Sequence, residues 1–213
     1  MKRFDIITIF PKILDSYFQE SLIKKAQDKG LLKIQTHNLR DFTADKHHKV
    51  DDTPYGGGPG MVVKAEPIAT AVARIKNQES RIKKRRVILF SLRGKKFDQK
   101  EAHRLAKYDQ LIFICGRYEG VDERVAEYIA DEELSIGDFI LSGGELPAAI
   151  VIEAVSRLVP GVLGKSGSLE EHKGTYPVYT KPETVKIKGK NRKVPKALMS
   201  GNHKEIEEWR NKF

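Results

Sequence analysis

The sequence predicts an α/β fold in which a mostly parallel sheet carries helices on both faces. Short apolar runs, typical of strands, alternate along the chain with segments whose apolar residues follow the 3.6-residue period of a helix. Hydrophobic residues make up 39% of the 213 residues and charged residues 32%, which excludes a disordered chain and suffices for a core.

The first βα unit carries the strongest signals. A strand is predicted over residues 4–10, because seven residues of mainly apolar and β-branched character precede Pro11. A helix is predicted from Pro11 to Gly30, since Ile13 and Leu14 are followed at helical spacing by Tyr17 and its neighbour. Proline is tolerated in the first helical turn and glycine is common after the last.

The remaining elements follow the same alternation. Strands are predicted over residues 31–36, 87–91, 111–115, 134–136 and 139–141, and helices over residues 66–76, 99–107, 122–129 and 144–158. Residues 161–173 lack apolar periodicity and are rich in Gly, Ser, Lys and Glu, which predicts a linker. Six basic residues and no acidic one lie in 186–196, as in a phosphate-binding block or a solvated hairpin. Residues 201–213, with Ile206 and Trp209, predict a short helix.

The charge balance favours a polyanionic partner. Lys and Arg total 39 against 29 for Asp and Glu, a net charge of +10, as expected of a protein that binds nucleic acid or an acidic membrane. The lone Cys115 excludes an internal disulfide. Pro11 interrupts the first apolar run too early for a signal peptide, and no window approaches a membrane span, so a cytoplasmic location is expected.

A glycine-rich segment follows a polar stretch in the first third of the chain. Residues 53–61 hold four glycines and two prolines, so the backbone can approach a ligand closely; a long surface turn is the alternative. The segment is neither a P-loop nor a dinucleotide fingerprint. His47, His48, Asp51 and Asp52 precede it, but their spacing carries no metal-ligand geometry, and no metal site is predicted.

Two more glycine-containing segments follow predicted strands, where open α/β sheets bind ligands. In residues 116–124, Glu119 is suited to accept hydrogen bonds from ribose hydroxyls, although Asp122 and Glu123 could simply cap a turn. In residues 135–147, Gly137, Gly143 and Gly144 surround a predicted strand end. Eight acidic residues and two arginines lie in 117–138, which favours a positively charged ligand over a nucleotide phosphate.

These segments resemble the bacterial tRNA (guanine-N1)-methyltransferases that modify guanosine 37, a family of the knotted SPOUT superfamily. The most specific matches are Val-Asp-Asp-x-Pro-Tyr-Gly-Gly-Gly-Pro-Gly-Met at residues 50–61 and Ser-Ile-Gly-Asp-x-x-Leu-Ser-Gly-Gly-Glu at residues 135–145. The resemblance implies a trefoil knot, S-adenosylmethionine as cofactor, tRNA as partner and a homodimer. Whether Mg²⁺ assists the reaction stays open.

The resemblance also implies three regions. Residues 1–160 would form the knotted methyltransferase domain, residues 161–182 a flexible interdomain linker and catalytic loop, and residues 183–213 a small helical C-terminal domain, an abbreviated version of the family's tRNA-binding domain. The cofactor residues implied are Phe90, Ser91, Gly94, Gly116, Tyr118, Glu119, Gly120, Ser135, Ile136, Gly137, Phe139, Leu141, Gly143, Gly144 and Pro147.

The implied substrate contacts come from several segments. Asp51 matches the position that reads the guanosine 5′ to the target, and His47 lies in the same matching stretch. Arg157 matches the arginine that contacts the target base. From the basic cluster at residues 81–86, Arg85 and Arg86 are expected to contact phosphate.

The general base falls in a loop shorter than the family pattern. Glu171 is the preferred candidate and Glu170 the second; other alignments put Gly167 or His172 at this position, and both glutamates could instead only solvate the loop. If the base is lost, the alternative function is a non-catalytic tRNA-binding protein of the same fold.

Overall fold

The computed structural model describes residues 1–163 and 176–213. The chain divides into two compact units, Met1–Leu163 and Gly164–Phe213. The candidate bases Glu170 and Glu171, together with Gly167 and His172, lie outside the described residues. None of the described helices is long and apolar enough to cross a membrane.

The first unit is built on a five-stranded parallel sheet, which confirms the predicted α/β class. Its strands are β1 Lys2–Thr8, β2 Leu32–Asn38, β5 Arg85–Lys96, β6 Gln110–Ile114 and β7 Glu132–Ser135. They run in the order β2-β1-β6-β5-β7. A separate two-stranded antiparallel ladder pairs β3 (Asp51–Asp52) with β4 (Val62–Val63).

Helices cover both faces of this sheet. They are α1 Asp15–Phe18, α2 Ser21–Asp28, α3 Ala65–Gln78, α4 Gln99–Ala106, α5 Arg124–Tyr128 and α6 Glu145–Arg157, with a 3-10 helix at Leu39–Phe42. On one face Phe4 and Phe113 pack with apolar residues of α2, α4 and α6. On the other face Ile7 and Ile112 pack with α3 and α5. Alternate side chains of each central strand therefore serve two cores, as the period of two requires.

Two local predictions were wrong. The helix expected from Pro11 to Gly30 is split into α1 and α2, with Ser21 at a φ of +51° where the chain changes direction. Residues 139–141, predicted as a strand, join no ladder and are exposed, with Ile140 84% exposed. These apolar side chains line the wall of a cavity at the surface and are not buried in the sheet.

The second unit is described from residue 176. It contains a hairpin of β8 (Thr184–Ile187) and β9 (Lys190–Lys193), followed by α7 (Lys196–Met199) and α8 (His203–Arg210). Asn202 caps α8, since its side chain accepts a hydrogen bond from the Lys204 amide at 3.0 Å. The Trp209 ring packs between Tyr179 and Phe213.

Candidate functional site

A cavity of about 470 Å³ opens where β6 and β7 end and where β5, which lies between them, leaves its regular pairing with β7 after Phe90. These three strands are neighbours in the parallel sheet, so the loops after β6 and β7 meet the irregular part of β5 at one edge. Of the fifteen predicted cofactor residues, all but Gly94 line the cavity: Phe90, Ser91, Gly116, Tyr118, Glu119, Gly120, Ser135, Ile136, Gly137, Phe139, Leu141, Gly143, Gly144 and Pro147. The structure thus brings together residues that are up to 57 positions apart in the sequence.

Gly94 lies behind the cavity wall instead. The β5–β7 ladder is interrupted between Phe90 and Lys95, and the intervening residues bulge toward the cavity. A Cβ added at Gly94 would lie 2.6 Å from the Glu133 carbonyl carbon, so this glycine allows the bulge to close against β7. Its contribution to the site is therefore indirect.

The loop after β6 is held in a tight conformation. The Gly120 amide donates to the Arg117 carbonyl at 3.0 Å, and Tyr118 adopts a φ of +60°, which is strained for a residue with a side chain. The Gly144 amide donates to the Gly116 carbonyl at 3.1 Å. A Cβ at Gly144 would lie 2.7 Å from Cys115 Cα, so the start of α6 packs directly on the end of β6.

Charged side chains in the cavity wall are mostly acidic. Arg93 Nη2 lies 2.7 Å from Glu123 Oε2, and this hydrogen bond and charge raise the pKa of the guanidinium. Glu133 Oε1 is buried, accepts no hydrogen bond from the described residues and lies 3.8 Å from Arg93 Nη2. Glu119 has no salt bridge within residues 1–163 and 176–213. The wall therefore offers carboxylate oxygens to a ligand with hydroxyl groups or positive charge.

The glycine-rich segment packs against this cavity loop. The Val63 amide donates to the Gly120 carbonyl at 3.0 Å, and the Asp122 amide donates to the Val63 carbonyl at 2.9 Å. Asp51 pairs with Val63 in the β3–β4 ladder. The structure therefore places Asp51 one strand away from the loop that carries Glu119.

An open groove of about 1540 Å³ lies beside this ladder. Its lining includes Asp52, Tyr55, Lys64, Arg74 and Arg124. His47 lies outside that lining and is exposed, in a turn whose amide groups at residues 47 and 49 donate to Asp45. Within the described residues, no group of three or more His, Cys, Asp or Glu side chains is arranged to hold a metal ion.

Comparison with known proteins agrees with this geometry. The sequence profile of a family described as tRNA (Guanine-1)-methyltransferase TrmD matches residues 1–213. The chain belongs to the tRNA (guanine-1)-methyltransferase family. Curated members named tRNA (guanine-N(1)-)-methyltransferase include those of Dictyoglomus turgidum, 52% identical over 100% of this chain and 84% of the relative, and of Carboxydothermus hydrogenoformans, 49% identical over 99% and 81%.

A solved structure is also similar throughout. The tRNA (m1G37) methyltransferase from Aquifex aeolicus matches 98% of this chain and 87% of its own, with 44% identity and a TM-score of 0.81. The family assignment therefore rests on both sequence and fold.

The family's expected target-base arginine lies at the end of a core helix. Arg157 is the last residue of α6 and is half-buried, next to the fully buried Ser156. The same helix begins at the cavity, immediately after Gly144. One rigid element therefore connects the predicted cofactor residues to the predicted substrate arginine.

Arg85 and Arg86 have partners within the first unit. The Arg85 guanidinium donates to the backbone carbonyls of Lys76, Glu79 and Ile82, at the end of α3 and in the turn that follows. Arg86 Nε lies 3.0 Å from Glu132 Oε1. Sequence reasoning missed these structural contacts, because basic residues in a cluster look alike when their partners are unknown.

Sequence reasoning also missed several charged residues of the cavity wall. Arg93, Glu123 and Glu133 line it, as does Arg117, which pairs with the buried Glu145. The available signal was the position of Arg117 and Glu145 inside the two glycine-containing segments. Their pairing across 28 residues required the fold.

Proposed function

We propose that this chain transfers a methyl group from S-adenosylmethionine to N1 of guanosine 37 in tRNA. The observation that carries the proposal is that a cavity with three carboxylates and two arginines in its wall gathers fourteen of the fifteen predicted cofactor residues. Family membership over the full chain supports the reaction and the tRNA substrate. Because that substrate is a tRNA, we expect the enzyme in the cytoplasm.

The residues of the cavity fit the proposed donor. Its volume of about 470 Å³ lies in the range of cofactor sites, and apolar residues such as Phe90 and Leu134 stand beside polar groups. Glu119 is suited to the ribose hydroxyls, and the buried Glu133 Oε1, which lies 3.8 Å from Arg93 Nη2, can accept a hydrogen bond from a ligand. When bound, S-adenosylmethionine supplies an electrophilic methyl group on a sulfonium.

The acceptor nitrogen needs help from the protein. N1 of guanine carries a proton at neutral pH, so a general base must remove it as the negative charge grows on O6. We assign the O6-stabilising role to Arg157, whose guanidinium is always charged. We propose that Glu171 is the general base that removes this proton, with Glu170 as the second candidate. Asp51 would recognise the guanosine that precedes the target.

The proposal includes a knotted backbone and a dimer. We expect the trefoil knot of the SPOUT superfamily in residues 1–160 and a two-fold homodimer. Exposed apolar side chains support the dimer: Leu146 and Ile150 share one face of α6 with Glu153, whose carboxylate accepts a hydrogen bond from Tyr17 at 3.1 Å. An exposed apolar patch of this kind suits an isologous interface, in which the same surface of both copies is buried.

The tRNA backbone is expected to contact two basic surfaces. Residues 183–213 form the abbreviated tRNA-binding domain in this proposal, and residues 161–182 the linker with the catalytic loop. All six basic residues of the hairpin region, Lys186, Lys188, Lys190, Arg192, Lys193 and Lys196, are exposed. On the first unit, the exposed neighbours Lys83 and Lys84 take the phosphate role, while Arg85 and Arg86 hold the segment.

Methyl transfer to tRNA transcripts tests the function. With labelled S-adenosylmethionine, the intact protein should methylate an unmodified transcript that carries G36 and G37, and mass spectrometry should find N1-methylguanosine at position 37. Transcripts with A37 are the control. Glu171→Ala should abolish transfer if that residue is the base, while Glu170→Ala should retain it. Absence of transfer by the intact protein would instead favour the non-catalytic tRNA-binding protein.

A further inference from the structure

Two arginines line the proposed donor cavity, and each faces a carboxylate. Arg93 pairs with Glu123, which also belongs to the wall. Arg117 Nη2 lies 3.0 Å from Oε2 of Glu145, which is 1% exposed and stands behind Arg117, outside the cavity lining. Glu145 therefore does not contact a ligand in this cavity directly, and we expect it to act through Arg117 or through its own charge.

Neighbouring groups fix Glu145 in place. Thr8 Oγ1 donates to Oε1 at 2.6 Å, and Arg117 Nε donates to the same oxygen at 3.1 Å. The Thr8 hydroxyl also accepts a hydrogen bond from the Phe10 amide at 2.9 Å, while the Arg117 guanidinium lies 4.7 Å from the Phe10 ring centroid. A Cβ at Gly143 would overlap both members of the ion pair. The pair thus joins the end of β1, the loop after β6 and the start of α6.

The charge of this pair bears on the chemistry proposed above. Donor and product differ by one methyl group: when the bond from sulfur to methyl carbon breaks, its electron pair stays on sulfur, and the sulfonium cation becomes a neutral thioether. An uncompensated arginine in the wall would repel the donor and leave the product nearly unaffected. A neutralised arginine keeps the acidic wall attractive to the cation.

We propose that Glu145 is a positioning residue that neutralises Arg117 and thereby sets the preference of the cavity for a cationic sulfonium over its neutral thioether product. The inference rests on the proposed function, because it takes S-adenosylmethionine as the ligand of this cavity. It also gives a reason for product release, since transfer of the methyl group removes the charge that the wall attracts.

Calorimetry with S-adenosylmethionine and S-adenosylhomocysteine tests this inference on the intact protein. Glu145→Gln keeps an oxygen for Thr8 but removes the negative charge. It should weaken donor binding about tenfold and product binding less than about twofold, because only the donor carries the charge that Arg117 repels. The double variant Arg117→Met with Glu145→Gln removes both charges and should return the ratio of the two affinities to within about twofold of the wild-type ratio.

A matched control separates this effect from general destabilisation. Glu101 is also buried and paired with an arginine, Arg104, at 2.7 Å, but it does not line the cavity. Glu101→Gln should lower stability and leave the affinity ratio unchanged.

The outcomes distinguish this inference from the proposed function. If Glu145→Gln weakens both ligands equally, the inference is overturned, because a distorted loop would act on both. If that variant does not fold, the double variant decides: a ratio within about twofold of the wild-type value supports the inference, and a larger change overturns it. If the wild-type protein binds neither ligand, the proposed function itself fails.

Discussion

At the residue scale, Gly60 shows how the glycine-rich segment serves the cavity. Its φ of +87° favours glycine, and a Cβ there would lie 2.5 Å from Glu119 Cγ and 2.6 Å from its Oε1. The Glu119 amide donates to the Met61 carbonyl at 3.1 Å. Gly60 therefore leaves the space in which the Glu119 carboxylate turns toward the cavity.

We predict that Gly60→Ala lowers donor affinity by about tenfold or more, because the new methyl group would displace the Glu119 carboxylate, which we propose binds the ribose. Gly57→Ala is the matched control: its φ of +78° imposes similar backbone strain, but nothing lies within 4 Å of the added Cβ. Calorimetric affinities and melting temperatures of both variants give the comparison. Equal losses of affinity would mean that backbone strain alone is responsible.

The sequence could predict individual cavity residues because glycine-rich strand ends are a local signal. It could not predict the pair of Arg117 and Glu145, since acidic residues such as Glu119 and Glu123 lie much nearer to Arg117 in the sequence, while no Lys or Arg lies between Arg124 and Arg157 around Glu145. Likewise, nothing local distinguishes Arg85, which binds three carbonyls, from the exposed Lys84 beside it.

At the element scale, a buried polar network links the three strands on one side of the sheet. Asp5 of β1 accepts hydrogen bonds from Arg3 at 2.7 and 2.8 Å and from Gln110 of β6 at 2.8 Å, and its Oδ1 lies 2.7 Å from His37 Nε2 of β2. Burial acts to raise the pKa of the Asp5 carboxyl. The hydrogen bonds from His37, Arg3 and Gln110 outweigh it and hold the pKa below its usual value of 3.8.

Because the pKa of Asp5 is lower in the folded state, this carboxylate makes the folded state less stable as the solution becomes acidic. The contribution of Asp5 to stability is complete above its unfolded pKa of 3.8 and is lost as pH falls through the lower folded value. We predict that Asp5→Asn lowers the free energy of unfolding at pH 7 by about 3–5 kcal/mol and flattens its dependence on pH below 4. Urea unfolding across this pH range measures both effects.

The control for Asp5 is a surface pair of the same chemistry. Asp28 lies 2.9 Å from Lys24 on α2 with both side chains exposed. Asp28→Asn should change stability by less than about 1 kcal/mol at any pH. If Asp5→Asn behaved like Asp28→Asn, the network would contribute nothing to the sheet.

Arg85 is expected to stabilise the end of α3. Its guanidinium donates to the Lys76 carbonyl in the last turn of the helix and to the Glu79 carbonyl just after it, which also accepts from the Ile82 amide at 3.0 Å. We predict that Arg85→Met lowers the free energy of unfolding by about 1–3 kcal/mol, whereas Lys84→Met leaves it nearly unchanged. Urea unfolding of the two variants decides; equal stabilities would contradict the assignment.

The elements themselves followed from apolar periodicity, with two instructive exceptions. The period of Ile13, Leu14, Tyr17 and Phe18 is helical, but it does not reveal the break before Ser21, which is a matter of backbone conformation. The run Phe139, Ile140 and Leu141 has strand composition, yet its neighbours in space are cavity loops rather than another strand. An apolar composition indicates that a segment packs against something, but it does not show whether the neighbour is another strand or a loop.

At the scale of the whole molecule, the net charge of +10 is unevenly distributed. The cavity wall in the first unit carries three carboxylates and two arginines, while the hairpin of β8 and β9 in the second unit carries five exposed Lys and Arg without an acidic residue. The sequence already predicted an acidic stretch in 117–138 and a basic block in 186–196, and the fold adds which acidic residues of that stretch line the cavity.

We predict that the hairpin contacts tRNA phosphates. The double variant Lys190→Glu with Arg192→Glu should weaken tRNA binding and reduce the slope of log affinity against log salt concentration by about 2, because two phosphate contacts are lost. Filter binding or anisotropy at several salt concentrations measures the slope. Donor affinity should not change. An unchanged slope would mean that these residues do not contact the tRNA.

The most direct test of the account is a crystal structure of this protein with S-adenosylhomocysteine. Density for the whole ligand is expected in the cavity formed by residues 89–93 of β5 and by the ends of β6 and β7, in contact with Glu119. Density in the open groove beside Arg74, or none at a saturating ligand concentration, would contradict it.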